Sequence, residues 1–543
     1  MSPDLTSRIR QKQADWIRDW RTYRFNRQVV NNTHPKPDKP TVAFFNASTR
    51  LGGVSLNAAF SYLTACGLQV SDYPVVHFAC HAGMSRCVLG TDWQEPNKEP
   101  PCSACIAQSR RLLAHAPTID YTYQEDENLR KSIERLDIFA LAGFTYLLKH
   151  ENGIVDEIPL GELVLPSLRW ANRLHSLPDD EPTRFLFREF ILSAWNVALE
   201  FSSFLEQAAP DIIVVFNGIL FPEGTVRWLA QKRGLRVITH EVGFKPFSAF
   251  FSQQHATAYP LDIPEGYVLS SDQNKELDSY LEERFRGKFT MAGIQFWPEI
   301  HQLDDRFIKK AEKFDQVVAV FTNVIFDTSQ IHANTIFDSM FAWLEMVAEI
   351  IRRHPETLFV IRAHPDELRE GKQSRESVPQ WIAQKGLENY ANVIFIAPNE
   401  FVSSYELIQK SKFVMVYNSS IGLEAALMGK AVLSGGKARY TSYDTVFFPS
   451  SREEYHNLVT KFLATREIIQ VPEEYLLNAR KFMYFQLFKA SLPFDQYLEE
   501  HFQPGFVRLK SISWRELRPE NSVTMKTLID GIVHEQPFLL GSS

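Results

Sequence analysis

The segment IRAHPDE, residues 361–367, places a cation and an imidazole at the end of an apolar run. Arg362 and His364 come just before Pro365, which lacks an amide hydrogen and ends regular strand pairing. In open α/β sheets, side chains at the carboxyl ends of strands face the ligand crevice. A guanidinium and an imidazole at such an edge favour binding of a diphosphate. A single histidine at a strand end can equally be structural, so both interpretations stay open.

The segment YNSSIGLEAALMGKAVLSGG predicts a strand, a tight turn and a helix that begins near Gly422. Hydroxyls and backbone N–H groups at a helix start suit a phosphate. Glu424, in the first helical turn, could accept hydrogen bonds from ribose hydroxyls. The alternative is an ordinary capped helix of a Rossmann-like domain.

Together, RAHP and YNSSIGLEAALMGKAVLSGG resemble the donor-binding domain of bacterial capsule polysaccharide biosynthesis proteins, the group that contains the Kdo transferases of capsule assembly. The family pattern is Arg-x-His-Pro followed by Asn-Ser-[Ser/Thr]-x-Gly-Leu-Glu-Ala, and this sequence meets both elements. The resemblance covers roughly residues 315–440. A more distant similarity links the same motifs to glycerophosphotransferases of teichoic acid synthesis.

The resemblance implies a GT-B glycosyltransferase, in which two Rossmann-like domains face each other across a cleft and the C-terminal one binds a nucleotide-sugar donor. It assigns Arg362 and His364 to the donor's phosphates or activated sugar, where His364 would also stabilise the leaving group during catalysis. The turn and the start of the helix supply the remaining donor contacts. The glutamate among them would bind ribose and the others phosphate: Asn418, Ser419, Ser420, Gly422 and Glu424.

Two further loops are candidates for donor contact. Asn323 and Asp327 lie in TNVIFDTS, the loop after the first strand of the second domain, although a solvated loop would explain them as well. Gly52 and Gly53 follow a predicted strand and precede a helix, so their backbone could closely approach a phosphate or an acceptor. This turn lacks the three-glycine fingerprint of dinucleotide binding, which disfavours an oxidoreductase.

An inverting sugar transfer needs a base that removes the proton of the acceptor hydroxyl. Glu241 is the first candidate because it ends a predicted strand and Gly243 leaves room beside it. Glu223 is the second, since a carboxylate in a first helical turn is also favoured by the helix dipole alone. His240 and His81 are weaker candidates, and each of these residues also has an ordinary structural explanation.

The cysteines of this chain are concentrated in one short segment. All five lie between Cys66 and Cys105, and four of them form the pattern C-x6-C-x14-C-x2-C. Four thiolates at such spacing predict a structural zinc site, with an iron–sulfur cluster or reduced, metal-free thiols as alternatives. No catalytic cofactor is expected. The predicted metal ligands are Cys80, Cys87, Cys102 and Cys105.

The elements that must position these residues follow from hydrophobic runs bounded by turn residues. TVAFFNAS, DIIVVFNG and LRVITHEVG predict strands of a first parallel sheet, and VVAVFTN, LFVIRAHP, VIFIAP, FVMVYNS and AVLSGG predict those of a second. A helical stretch is expected over residues 120–208. The predicted divisions are a helical arm and linker, an acceptor domain with a cysteine-rich insertion at 80–105, a donor domain and a helical tail: 1–39, 40–305, 306–470 and 471–543.

Composition limits the classes of function. Hydrophobic residues make up 45% of the 543 residues and charged residues 23%, which is typical of a folded globular protein. A net charge of -7 leaves no basic excess for nucleic acid. The charged first residues lack a secretory core, and no run reaches the ~20 apolar residues of a membrane span. We therefore expect a cytoplasmic protein, with contact to the inner face of the membrane as an option for reaching a lipid-linked acceptor.

The sequence thus predicts a glycosyltransferase that moves a sugar from a nucleotide-activated donor to a glycan or lipid-linked acceptor in surface polysaccharide synthesis. Three alternatives stay open. A sugar-nucleotide epimerase would use a similar fold and nucleotide site without a separate acceptor. A polyol-phosphate transferase would move an alcohol phosphate, and an assembly factor would keep the fold with a vestigial nucleotide site.

Overall fold

Short runs of β-branched and aromatic residues form the strands, because such side chains pack well on a pleated, buried surface. The computed structural model describes residues 5–47, 53–92, 95–149, 153, 155–285, 290–291, 294–295, 302–369, 373–501, 503 and 505–541. For residues 5–15, 290–291, 294–295 and 306 it describes the backbone alone.

The strands in chain order are β1 (Val42–Phe45), β2 (Val75–Cys80), β3 (Thr118–Tyr121), β4 (Tyr146–Lys149), β5 (Val155–Ile158), β6 (Ile212–Phe216), β7 (Arg236–Val242), β8 (Ser248–Ser252), β9 (Thr290–Met291), β10 (Ile294–Gln295), β11 (Gln316–Phe321), β12 (Thr357–Arg362), β13 (Val393–Ile396), β14 (Phe413–Val416), β15 (Val432–Ser434), β16 (Leu492–Pro493), β17 (Leu498–Glu500) and β18 (Val507–Leu509).

The helices are α1 (Leu5–Asn31), α2 (Leu56–Val70), α3 (Cys102–Leu113), α4 (Glu127–Ile133), α5 (Ile138–Ala142), α6 (Leu160–Asn172), α7 (Glu181–Ala208), α8 (Glu223–Lys232), α9 (Ser271–Phe285), α10 (Asp305–Ala311), α11 (Gln330–Ala333), α12 (Met340–Arg353), α13 (Val378–Lys385), α14 (Ser404–Lys410), α15 (Ile421–Leu427), α16 (Arg452–Ala464), α17 (Glu473–Tyr484) and α18 (Val523–His534).

The N-terminal sheet has seven strands in the order β16-β8-β7-β6-β1-β2-β3. Strands β7, β6, β1, β2 and β3 are parallel, and β8 and β16 add an antiparallel edge. One face of this sheet packs on α7, whose apolar side chains include Phe187, Phe190 and Phe201. The opposite face packs on α2, which is buried along nearly its whole length, and α2 in turn contacts α18.

The C-terminal sheet is fully parallel, in the order β13-β12-β11-β14-β15. Its strands are almost completely buried, as expected when helices cover both faces. On one side, Trp343 of α12 is fully buried and donates a hydrogen bond of 2.7 Å from Nε1 to Tyr455 Oη of α16. From β11 the chain adds β12 and β13 on one side and then β14 and β15 on the other. This strand order is that of a Rossmann-like domain, so the predicted GT-B fold class is confirmed.

Two expectations about secondary structure were wrong. The stretch 120–208 is interrupted by the antiparallel hairpin β4–β5, and the tail after residue 471 contributes strands as well as helices. In the tail, β16 pairs with β8 of the N-terminal sheet. The chain therefore leaves the C-terminal sheet through α17 and returns to the N-terminal half.

None of the helices in the described part of the chain combines the length and the apolar composition needed to cross a membrane.

Candidate functional site

A cavity of about 1420 Å³ lies between the two sheets. Its walls are built by residues at the carboxyl ends of parallel strands from both halves, including Asn46 and Glu241 on one side and His364 and Asn418 on the other. Loops from two facing sheets thus meet in one cleft, which is the place where open α/β sheets bind ligands.

His364 follows β12 and lines the cavity. Its Nδ1 accepts a hydrogen bond of 3.2 Å from the amide of Asp366, so the neutral ring carries its proton on Nε2. Burial lowers the pKa of His364 below its ordinary value, although Asp366 and Asp327 oppose that shift. His364 therefore offers an N–H donor rather than a cation to an anionic ligand at neutral pH.

Arg362, the partner of His364 in the motif, is 5% exposed and is one of the residues that line the cavity. Its Nη1 donates a hydrogen bond to the carbonyl of Val402 in the loop before α14. Burial lowers the pKa of Arg362 to about 10, and the carboxylate of Glu400 partly offsets this. The structure thus gives Arg362 a role in holding the β12 end against the neighbouring loop.

The turn after β14 is tied to the turn after β11. The amide of Asn418 donates to Asn323 Oδ1 over 3.2 Å, and Gln330 Nε2 donates to Asn418 Oδ1 over 3.1 Å. Ser419, Ser420, Asn418 and Asn323 all line the cavity. The predicted donor-binding turns are therefore adjacent, and each fixes the other's geometry.

Gly422 is required by packing. A Cβ atom there would lie 2.3 Å from Tyr440 Oη, which donates a hydrogen bond of 2.6 Å to the carbonyl of Ser419. The glycine thus leaves room for the hydroxyl of Tyr440, which stabilises the turn by this hydrogen bond. Gly422 does not line the cavity, whereas the sequence predicted a contact with phosphate.

Glu424 lies at the cavity wall, but its carboxylate is already engaged. Arg284 Nη2 of α9 lies 2.6 Å from Glu424 Oε1, and Tyr405 of α14 donates a hydrogen bond of 2.5 Å to Oε2. The side chains of Glu424 and Arg284 are 3% and 11% exposed. The ion pair joins α9 to α15, and the hydrogen bond from Tyr405 adds α14. Ribose binding by Glu424 stays a prediction.

Glu241 ends β7 on the opposite wall. Its Oε1 accepts hydrogen bonds of 2.9 Å from Asn57 Nδ2 and 3.1 Å from the amide of Val242, while Oε2 accepts one of 2.9 Å from Asn217 Nδ2. Each carboxylate oxygen has two lone pairs, so Oε2 keeps one acceptor position. Burial raises the pKa of Glu241, and Asp327 from the C-terminal half adds to that rise.

Asp327 also interacts electrostatically with His364. Asp327 therefore interacts electrostatically with one residue from each half of the chain, Glu241 and His364. Neither of these two interactions was evident from the sequence, because Glu241 lies far from Asp327 and His364 in the chain.

Glu223, the second candidate base, begins α8 and is 6% exposed. Its Oε1 accepts a hydrogen bond of 3.0 Å from the amide of Ala47 at the end of β1. Burial raises the pKa of Glu223 to about 7, and its negative charge in turn raises the pKa of the buried Tyr121. Glu223 therefore lies on the side of the cavity that is enclosed by the N-terminal half.

Arg439 lines the cavity and was not predicted from the sequence. It follows β15 in the segment GGKAR, at the same sheet edge as the turn after β14, and its guanidinium lies 4.3 Å above the ring of Phe244 from the N-terminal half. Its Nε atom is buried and has no hydrogen-bond partner among the described residues. Burial lowers the pKa of Arg439, and neighbouring Arg284 adds to that effect. The signal in the sequence that could have identified Arg439 was a basic residue shortly after the end of a predicted strand.

Several predicted site residues lie elsewhere. The ring nitrogens of His240 have no partner among the described residues, and burial lowers the pKa of His240 to about 3, so it stacks on Phe251 as a neutral ring. His81 pairs with Asp120 over 3.3 Å. A Cβ on Gly53 would lie 2.7 Å from the ring of Phe506, which explains that glycine by packing. Gly52 lies outside the described residues.

The four predicted metal ligands are neighbours at the cavity wall: Cys80, Cys87, Cys102 and Cys105. All five cysteines are free, and every pair within this set of four interacts electrostatically. The amides of Gly83 and Gly90 donate to the sulfurs of Cys80 and Cys87 over 3.3 and 3.2 Å.

Burial raises the pKa of Cys80 to about 11 and that of Cys87 to about 12, so these thiols are protonated at neutral pH. Among the described residues, no three or more His, Cys, Asp or Glu side chains are arranged to hold a metal ion. The structural zinc site stays a prediction.

Comparison with known proteins adds a family match. Residues 286–482 match the family described as capsule polysaccharide biosynthesis protein. Protein FixF of Sinorhizobium fredii (strain NBRC 101917 / NGR234) is 30% identical over 107 residues, which are 20% of this chain and 23% of FixF. The match thus spans less than a quarter of FixF.

Two solved structures illustrate the structural similarity. KpsC, beta Kdo 2,4 transferase, of Thermosulfurimonas dismutans is 12% identical, with a TM-score of 0.34 over 57% of this chain and 87% of the other. UDP-GlcNAc 2-epimerase of Neisseria meningitidis bound to UDP-GlcNAc is 14% identical, with a TM-score of 0.26 over 82% and 99%. The family match confirms the resemblance carried by the two sequence motifs: residues 286–482 are similar to capsule polysaccharide biosynthesis proteins.

Proposed function

We propose that this protein is a glycosyltransferase that moves a sugar from a nucleotide-activated donor to a glycan or lipid-linked acceptor in capsule or related surface polysaccharide synthesis. The observation that carries the proposal is the cavity of about 1420 Å³ with groups of opposite character on its two walls. The C-terminal wall offers His364 and Arg439, and the N-terminal wall offers the fixed carboxylate of Glu241.

The donor's phosphates would bind at the C-terminal wall. Nε2–H of His364 donates a hydrogen bond to a phosphate oxygen, and Arg439 supplies positive charge. A guanidinium stacked on an aromatic ring and partly removed from water interacts strongly with an anion, because little solvent screens it. Negative charge that develops on the leaving nucleotide is thereby stabilised.

The acceptor would bind at the N-terminal wall, with its hydroxyl next to Oε2 of Glu241. As the bond between the sugar and the donor phosphate breaks, the electron pair leaves with the phosphate and the acceptor oxygen forms the new bond to the sugar carbon. Glu241 takes the hydroxyl proton. Asn57 and Asn217 hold the carboxylate in place, and its electrostatic contact with Asp327 puts it near the donor half.

The first test is a thermal-shift screen against nucleoside mono- and diphosphates and nucleotide sugars, since a ligand that binds the folded state stabilises it, by about 2.7 kcal/mol at a concentration of 100 Kd. We expect one nucleotide class to raise the melting temperature. Arg439→Gln should lower the affinity for that nucleotide by at least about tenfold, as expected when a charge-assisted hydrogen bond is lost. The matched control is Arg452→Gln, an exposed arginine of the same domain that pairs with Asp338.

The second test separates the two carboxylates. Glu241→Gln keeps the size of the side chain but removes the base, so the rate of single-turnover sugar transfer should fall by roughly 10²–10⁴-fold with nucleotide affinity unchanged. Glu223→Gln should have the smaller effect. Equal rates for wild type and Glu241→Gln would remove Glu241 as the base, and turnover of the donor sugar without any acceptor would favour an epimerase. Absence of nucleotide binding altogether would favour a non-catalytic assembly factor.

A further inference from the structure

Helix α1 has an inner face that fixes it to the N-terminal half. Phe25 and Val29 are buried in the core formed with α2, and Asn26 Nδ2 donates hydrogen bonds to the carbonyls of Arg111 and Leu112 at the end of α3. This part of α1 is therefore a firmly packed element of the domain.

The opposite face of α1 exposes large aromatic side chains. Trp16, Trp20 and Tyr23 are 68%, 48% and 60% exposed, and their spacing of four and three residues places them on one side of the helix. The guanidinium of Arg24 lies 5.4 Å from the ring of Trp20, and that of Arg27 lies 5.9 Å from the ring of Tyr23. We call these five residues the aromatic face.

The charge of this helix is opposite to that of the chain. Residues 5–31 contain seven basic and two acidic residues, whereas the whole chain has a net charge of -7. The residues outside α1 are therefore acidic on balance, and the positive charge is concentrated on the element that presents the aromatic face. Tryptophan, tyrosine and arginine are also common in protein interfaces, so the acidic remainder of another copy or an acidic partner protein is the competing occupant of this face.

We propose that the aromatic face of α1 binds a membrane surface that contains anionic phospholipid. Tryptophan and tyrosine are enriched at the boundary between headgroups and acyl chains, where a ring with one polar edge fits. Arginines beside them meet the headgroup phosphates, and each basic residue near an anionic surface adds to binding. A helix that lies in the interface with its opposite side packed on the protein needs no membrane-spanning segment.

The position of α1 relates this surface to the cavity. Helix α1 packs on α3, and Arg111 of α3 forms an ion pair with Asp19 over 3.4 Å. The first turn of α3 lines the cavity with Cys102, Cys105 and Ile106. Helix α3 therefore connects the helix that carries the aromatic face to the N-terminal wall of the cavity, which we assign to the acceptor. The link between the aromatic face and the acceptor rests on the proposed function, whereas the membrane contact itself does not.

The test is cosedimentation of the full chain with vesicles of phosphatidylcholine alone and of phosphatidylcholine mixed with phosphatidylglycerol. We expect binding to the anionic vesicles that weakens as salt rises. The triple variant Trp16→Ser, Trp20→Ser, Tyr23→Ser should lose at least about tenfold in affinity, and Arg24→Gln with Arg27→Gln about tenfold or more. These side chains are exposed, so the melting temperature should stay unchanged.

The matched control is Phe139→Ser, because Phe139 is 89% exposed but lies on α5, away from α1. It should sediment with vesicles like the wild type. Equal binding of the wild type and the triple variant would overturn the proposal. A concentration-dependent dimer that the triple variant abolishes, without vesicle binding by the wild type, would also overturn it and assign the face to a second copy. Neither result depends on whether sugar transfer is observed.

Discussion

The ion pair between Arg284 and Glu424 gives the sharpest prediction, because the two interpretations of Glu424 lead to opposite results. The variant Glu424→Gln keeps the size of the side chain and removes its charge. If Glu424 holds α9 and α15 together, the variant should lose stability. If Glu424 instead binds ribose, as the sequence suggested, the variant should lose nucleotide affinity with little change in stability.

The size of the effect follows from burial. The 2.6 Å contact joins side chains that are 3% and 11% exposed, and the charge of Glu424 raises the pKa of Arg284. Removing one partner of a buried pair leaves the other charge without compensation and costs about 3–5 kcal/mol. For a domain of this size, each kcal/mol shifts Tm by about 2–4 °C, so we expect a decrease of roughly 6–20 °C.

Calorimetry of the ligand-free protein measures this decrease. The control is Asp530→Asn, which breaks the exposed Lys526–Asp530 pair and should change the stability by at most about 1 kcal/mol. Replacing both Arg284 and Glu424 by apolar residues of similar size should cost less than Glu424→Gln alone. A Tm within about 2 °C of wild type for Glu424→Gln, together with weaker nucleotide binding, would refute the structural role.

Three further predictions concern protonation, packing and metal. Burial lowers the pKa of His77 to about 3 and that of His115 well below 6.5, so the unfolded chain takes up protons that the folded chain excludes. The free energy of unfolding should therefore fall as pH decreases below about 6.5, by up to about 1.4 kcal/mol per pH unit for each histidine, and His77→Asn should reduce that slope in melts at pH 7 and 5. Gly422→Ala should destabilise the protein by about 1–3 kcal/mol in thermal melts, and Tyr440→Phe, which removes the clashing hydroxyl, should restore part of the loss. Elemental analysis should find about one zinc per chain if the cysteines of residues 80–105 hold a structural metal.

Each of these has a contrary result. A pH dependence that is identical in wild type and His77→Asn would place the proton uptake elsewhere. Equal stability of Gly422→Ala and wild type would mean that the Tyr440 hydroxyl moves aside freely. Metal-free protein that melts like zinc-loaded protein would leave the four cysteines as reduced thiols.

The strands were predictable because each is a short apolar run bounded by turn residues, and parallel strands put their carboxyl ends at one edge. His364, Asn418 and Glu241 could therefore be placed in one cleft from the sequence. The hairpin β4–β5 was not predicted, because its strands are four residues long and only partly buried. Their alternation of apolar and polar residues is weak beside the neighbouring helical pattern.

The roles of individual side chains were harder to predict, since they depend on distant partners. Glu424 is paired with a residue 140 positions earlier, and Arg362 donates to a carbonyl 40 positions later. The sequence shows which groups stand at strand ends, but not which of them are already bound to the protein. Arg439 is the converse case, because its importance comes from a buried Nε atom without a partner among the described residues.

The return of the chain through α17 and β16 has a mechanical consequence. The two halves are connected twice, once between β8 and β11 and again between α17 and β16, where residues 485–489 form a turn of π-helix. Two bodies joined at two points swing easily only about the line through both points. The cleft should therefore open and close as a hinge with a single axis. Gln486 and Leu487 belong to the second connection and also line the cavity, so their surroundings should change whenever the halves move.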